Sequence, residues 1–345
     1  MTTPGRFLQT CDLRQTDSRP VWLMRQAGRY LPEYRQIRER HSFKEMVTTP
    51  ELCAEITLQP IRRYDLDAAI IFSDILVLLE ALGAPYEIIE GRGPVLERTV
   101  RSAADLDSLS TGVEAGDLDY VYESLGLLRA ELAPELALLG FAGAPWTLAC
   151  YLVSGGSSQD GFPEIIGLSK DEPVLLTKIL ERLTDAVIAH LKAQLQAGAD
   201  AVQVFDSWAG MLGREQYREL VLPHMQRIAA ALAGERVIYF LKGATHYLSA
   251  AEAAQFRLLS VDHQRPLSYY RDKLGGDIVL QGNLDPAALR LDPAELAAET
   301  RKVLADHGPG PGHIFNLGHG ITPDIPPEHV QVMVETVRAF APVTA

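Results

Sequence analysis

The chain has 345 residues, 47% apolar and 22% charged, and a formal net charge of −13 with neutral histidines. That length buries a large core, as one big α/β domain or two smaller ones, and the composition is that of a globular protein. So acidic a chain has no general attraction for nucleic acid or anionic membrane, so neither is expected as a partner, and an anionic ligand would have to meet a local cluster of cations.

The first residues, MTTPGRFLQTCDLRQ, contain no apolar run of the kind a secretory leader needs, and residues 1–15 read as a flexible tail. No stretch approaches about 18 uninterrupted apolar residues, so no membrane span is expected. Cys11, Cys53 and Cys150 are odd in number and scattered, without C-x-x-C spacing or a histidine two residues away. This points to a reducing, cytoplasmic setting and away from a zinc–thiolate site.

Eight short apolar runs read as strands: 21–24, 68–72, 136–141, 201–205, 237–241, 258–261, 278–282 and 313–318. Most are continuously apolar rather than alternating, as in parallel strands covered on both faces. Helical patterns lie between them. Residues 172–196 form a long one that stops near Gly198, a good C-terminal cap. Residues 215–233 form another, which Pro223 kinks or divides. The last begins near Pro327 and buries Val330, Met333, Val334, Val337 and Phe340. The alternation predicts an α/β fold, a single-domain (β/α)8 TIM barrel over 1–345; a doubly wound sheet is the competitor, but no G-x-G-x-x-G follows a strand. YEIIEGRGPVLERTV, 86–100, reads as an inserted β-hairpin around GRG, followed by acidic, loop-like sequence to about Asp119.

In such a barrel the functional residues stand at the C-terminal ends of the strands. There the sequence places Arg25 and Arg29, then Asp74, Tyr151, Asp206 and Ser207, Lys242, Asp262 and His263, Asn283, and His319. Each also has a plainer reading. The arginines could be solvated, Asp74 and Ser207 could cap helices, Tyr151 could be core, and His319 could pack in a loop. Lys242 suits a Schiff base or an ion pair. His190 and His329 read as surface residues. No phosphate loop, H-E-x-x-H or G-x-S-x-G is present, so residue pattern alone names no reaction.

Five stretches carry a resemblance. PVWLMRQAGRYLPEYR (20–35), AAIIFSDILVLLEALG (68–83), GFAGAPWTLACYLVSGG (140–156), AVQVFDSWAG (201–210) and FNLGHGITPDIPPEHV (315–330) resemble, in that order, the uroporphyrinogen decarboxylase family. The resemblance implies a cytoplasmic homodimer of single-domain barrels. It implies removal of carbon dioxide from the four acetates of uroporphyrinogen III to give coproporphyrinogen III, on the route to haem and chlorophyll, with no metal and no organic cofactor. It places substrate-binding positions at Arg25, Gln26, Ala27, Gly28, Arg29, Asp74, Tyr151, Ser207 and His319, with Asp74 and Arg25 in the chemistry. The two arginines then have a reason: the substrate carries eight carboxylates, and arginine's permanent charge and planar fork suit carboxylate recognition.

Overall fold

The computed structural model describes residues 4–89, 91–158 and 160–340. Its strands are β1 (Ala68–Ile70), β2 (Tyr86–Ile89), β3 (Gly93–Leu96), β4 (Ala137–Gly143), β5 (Ala201–Asp206), β6 (Val237–Leu241), β7 (Leu258–Ser260), β8 (Val279–Leu284) and β9 (His313–Leu317). Seven of them form one curled parallel sheet in the order β1-β4-β5-β6-β7-β8-β9, with helices in the connections. β4 to β9 are almost wholly buried and mostly apolar, so both faces of the sheet are covered, and their few polar side chains, Gln203 and Gln281 among them, are buried with them.

The expected first strand, 21–24, is reduced to a single parallel bridge between Val21 and Phe315 of β9. On its other side the Asp67 amide donates to the Val21 carbonyl at 2.9 Å, beside β1. This segment therefore joins the two edges of the sheet and closes the barrel. Side chains take the places of ladder partners. The Val21 amide donates to the Asp67 carboxylate at 2.7 Å, the Leu23 amide to Gln26 Oε1 at 3.1 Å, and the Met24 amide to Asn316 Oδ1 at 2.9 Å. With the Trp22 amide donating to the Phe315 carbonyl at 3.3 Å, all four amides are satisfied without a regular strand.

Inside the barrel the Trp22 indole donates to Gln281 Oε1 at 2.9 Å, and the Gln281 amide donates to Gln203 Oε1 at 3.0 Å. Below them Ala68, Leu139, Ile238 and Ile314 pack with Phe7 and Cys11. Phe7 is completely buried and lies on a helix, Arg6–Cys11. The expected flexible tail is thus corrected for residues 6–11. They plug the N-terminal end of the barrel because Phe7 gains apolar burial there. Residues 1–3 lie outside the described residues.

The hairpin is where the sequence puts it, with Tyr86 opposite Leu96 and Ile89 opposite Gly93. It docks on the barrel mouth: the Leu96 amide donates to the Gly155 carbonyl at 2.9 Å, and Val95 bridges Gly156. Gly155 ends the helix Pro145–Ser154 with φ +83°, a left-handed cap that glycine takes without steric cost. The sequence after the hairpin is less loop-like than expected. It holds a short helix, Ala103–Asp107, with a Ser102/Asp105 capping box and a buried Leu106. The long helix is Pro173–Gln196, and the one containing Pro223 divides at Val221 into Arg214–Leu220 and Leu222–Ala231. The last, Pro327–Ala339, buries Val330, Met333, Val334 and Val337, with half-buried Phe340 packed against the same cluster.

Candidate active site

Following the segment 21–24, the chain turns through Arg25 with φ +66°. A left-handed arginine costs roughly 1–2 kcal/mol of backbone strain, so the surroundings must hold it there. They do so through Gln26. Its Oε1 accepts from the Leu23 amide, its Nε2 donates to the Ala68 carbonyl at 3.1 Å, and its own carbonyl accepts from the Tyr30 hydroxyl at 2.8 Å. Gln26 is fully buried, so its side chain builds the turn rather than facing the cleft. Ala27 and Gly28 are half-buried, and Arg25 and Arg29 are exposed. The Arg25 side chain lies across Gly320, where a Cβ would sit 2.8 Å from Arg25 Nε.

Asp74 follows β1. Its Oδ1 accepts from the Leu76 amide at 2.8 Å, an Asx turn leading into the helix Val77–Ala81, whose N-cap is Leu76. The cap reading therefore holds for one oxygen, at a position two residues before the helix proper. Among the described residues the other oxygen has no hydrogen bond. Burial raises the pKa of this carboxyl; the Leu76 amide and the Arg25 charge oppose the rise. The same Arg25 charge reaches Tyr151 and His319, which brings four of the expected residues to one place.

Tyr151, on the helix Pro145–Ser154 after β4, is half-buried. Its ring meets Phe162 edge-on at 5.8 Å and Trp208 at 6.5 Å. Burial raises its pKa, so the phenol stays protonated and can donate to a carboxylate. Ser207 is half-buried on the turn after β5. That turn is held by Thr147, which donates to Asp206 Oδ1 at 2.7 Å and accepts from the Trp208 amide at 3.3 Å. Asp206 is fully buried, its Oδ2 has no partner among the described residues, and burial pushes its pKa up to about 7. His319, after β9, is half-buried with its ring 6.1 Å from that of Phe240. Burial, then Lys242, Arg25 and His263, push its pKa down to about 3, so it is a neutral imidazole in the free protein.

Other strand-end groups brace the mouth. The Asp262 carboxylate accepts from the Gly243 and Gln264 amides, and the Asn283 amide donates to the carbonyls of Asp262 and Arg265. Residue pattern missed Thr147 and Gly320, although each sits inside a stretch already singled out, PWTLACY and NLGHG. It misplaced His190, which is buried with Nδ1 3.1 Å from the Tyr122 hydroxyl. A cavity of about 770 Å³ lies at the opposite end of the molecule beside Arg6, Asp17 and Asp67, and none of the mouth residues lines it. Among the described residues no three His, Cys, Asp or Glu side chains are grouped to hold a metal.

The model of the uroporphyrinogen decarboxylase family matches residues 2–340. The chain belongs to the uroporphyrinogen decarboxylase family. Uroporphyrinogen decarboxylases of Alkalilimnicola ehrlichii and Methylococcus capsulatus are each 46% identical to it. The first alignment covers 98% of this chain and 94% of the relative, the second 96% of each. That of Cellvibrio japonicus is 43% identical, over 96% of this chain and 95% of its own. Among solved structures, a methyltransferase from Methanosarcina mazei superposes with TM-score 0.80 at 22% identity, over 96% of this chain and 97% of that one. At that identity the likeness is one of fold, and it accords with the curled parallel sheet described above.

Proposed function

We propose that this chain decarboxylates the four acetate side chains of uroporphyrinogen III to give coproporphyrinogen III and four molecules of carbon dioxide, and that it does so at the barrel mouth around Asp74 without metal or organic cofactor. The observation that supports this reading best is Asp74, a carboxylate with one oxygen tied to the Leu76 amide, the other without a hydrogen bond among the described residues, and the Arg25 charge beside it.

Loss of carbon dioxide leaves an electron pair on carbon, which needs a sink. The substrate supplies one. Protonation of a pyrrole carbon makes the ring cationic, the carboxylate carbon–carbon bond breaks into that ring, and a second proton on the exocyclic methylene gives the methyl group. A carboxylate only accepts hydrogen bonds and pyrrole N–H groups only donate, so Asp74 anchors the macrocycle. Its attraction grows as the ring gains charge, which lowers the barrier rather than only tightening binding. Arg25 and Arg29, with the amides of the turn at Ala27 and Gly28, take substrate carboxylates; Tyr151, Ser207 and neutral His319 donate to others. Gln26 acts by holding the turn. The first proton comes from the Arg25 side, from a water or a substrate carboxyl held there, since either gives up a proton far more readily than a guanidinium does.

No helix is long and apolar enough to cross a membrane among the described residues. We infer a cytoplasmic homodimer of one catalytic domain, on the family resemblance; sedimentation showing monomer alone at micromolar protein would overturn the dimer. The activity is tested with chelator-treated protein and uroporphyrinogen III under anaerobic conditions. Coproporphyrinogen and four carbon dioxide per macrocycle are expected. No turnover, or turnover only after a metal is restored, would contradict the reading.

A further inference from the structure

Going once around the barrel, the order is the closing segment 21–24, then β1, β4, β5, β6, β7, β8 and β9. The residues assigned above come from the closing segment (Arg25 and Arg29), β1 (Asp74), β4 (Tyr151), β5 (Ser207) and β9 (His319). Four steps from the closing segment, directly across the mouth, stands β6, which contributes none of them. The residue that follows its C-terminal end is Lys242.

Lys242 is half-buried, and its ammonium lies 5.8 Å from the centre of the Trp208 ring, the residue after Ser207. Its charge is one of those felt by His319, so it belongs to the same mouth. Among the described residues it has no carboxylate partner. The nearby acids are engaged elsewhere: both Asp262 oxygens take backbone amides, and Asp206 lies fully buried with Thr147 on one oxygen. Packing on Trp208 alone would not require a charge, since methionine packs on an indole as well.

Uroporphyrinogen carries carboxylates around its whole rim, and the two arginines reach one side of it. We propose that Lys242 binds a propionate of the tetrapyrrole on the rim opposite Arg25 and Arg29. A propionate is the fitting group because acetates disappear over the four rounds, whereas four propionates persist from substrate to product. The proposal rests on the function proposed above, and the test separates the two.

Lys242→Met keeps the length and the contact with Trp208 and removes the charge; Lys242→Arg keeps a charge. For Lys242→Met, KM for uroporphyrinogen and the inhibition constant for coproporphyrinogen should both rise by about tenfold, the loss of one charge-assisted hydrogen bond. Its kcat should stay within about threefold, since a grip equal in ground and transition states is lost. Lys242→Arg should recover most of the affinity, and the KM of Lys242→Met should depend less steeply on salt than the wild type's. Unchanged KM and salt dependence in Lys242→Met would overturn the proposal, and a rise in KM without a change in product inhibition would overturn the assignment to a propionate. If the wild type does not turn over at all, the proposed function fails instead, and Lys242 is judged by coproporphyrinogen binding alone: weaker binding by Lys242→Met sustains it, equal binding overturns it.

Discussion

Arg25 lies across the bare Cα of Gly320, so a residue in the first loop is held by a glycine almost three hundred positions later. A methyl group on Gly320 would overlap the Arg25 Cδ and Nε, and the side chain would have to swing away. Gly320→Ala should therefore mimic loss of Arg25, with substrate affinity and rate both reduced and thermal unfolding nearly unchanged. The ceiling is the loss of one charge-assisted contact, roughly 1.5–3 kcal/mol. Steady-state kinetics beside a melting curve check this, and wild-type kinetics in Gly320→Ala would remove the coupling.

The two arginines should separate kinetically. Arg29 is exposed further along the turn, so Arg29→Ala should chiefly raise KM; Arg25 stands beside Asp74, so Arg25→Ala should lower kcat as well. Each loss is again roughly 1.5–3 kcal/mol of binding or barrier. Unchanged KM and kcat in both variants would place the arginines away from the substrate.

The strand runs, the inserted hairpin and the division at Pro223 were legible because each is a local signal: apolar run length, turn glycines, a missing amide. The strand-end polar residues were legible once the barrel was assumed. What was not legible depends on distant partners. Phe7 looks like any residue of a polar tail until the barrel floor above it is known. Gln26 reads as one polar residue between two arginines, and only the Ala68 carbonyl, across in β1, shows why it is buried. The segment 21–24 has strand composition, yet Asp67, Gln26 and Asn316 side chains take its amides. His190 sits at a helical position whose partner, the half-buried Tyr122, is on another helix.

Acid should destabilise the protein through its buried histidines. Burial holds His190 and His307 at about 4, His319 at about 3 and His313 well below its ordinary value. A lowered folded-state pKa means that the unfolded chain, titrating near 6.5, takes up protons first as pH falls. The stability these groups contribute is complete above about pH 6.5 and is lost as pH falls towards 4, at up to about 1.4 kcal/mol per pH unit for each. Urea midpoints measured between pH 7.5 and 5 should fall, and His190→Gln should flatten the slope by about one proton. A midpoint independent of pH over this range would contradict it.

Asp206 should act in the opposite sense. Its folded pKa is raised to about 7, so its contribution is complete below the unfolded value and is lost as pH rises through 7. Asp206→Asn retains an acceptor for Thr147 and cannot ionise. Between pH 5 and 8 this variant should gain stability relative to wild type, by an amount on the order of 3 kcal/mol at most. Parallel pH profiles for the two proteins would show that Asp206 does not titrate there.

The measurement closest to the core of the account compares Asp74→Asn with Asp74→Glu under anaerobic turnover. Asparagine retains size and an acceptor for the Leu76 amide, so the Asx turn and the melting temperature should survive, because Asn and Asp serve alike in such turns. It removes the charge and sets N–H donors against the pyrrole N–H groups. Glutamate keeps the charge and displaces it by one methylene. If the charge of Asp74 stabilises the cationic ring, Asp74→Asn should lose about a hundredfold in kcat, on the order of 3 kcal/mol, and Asp74→Glu clearly less. Near-normal kcat for Asp74→Asn would contradict the account and leave Asp74 as a turn residue.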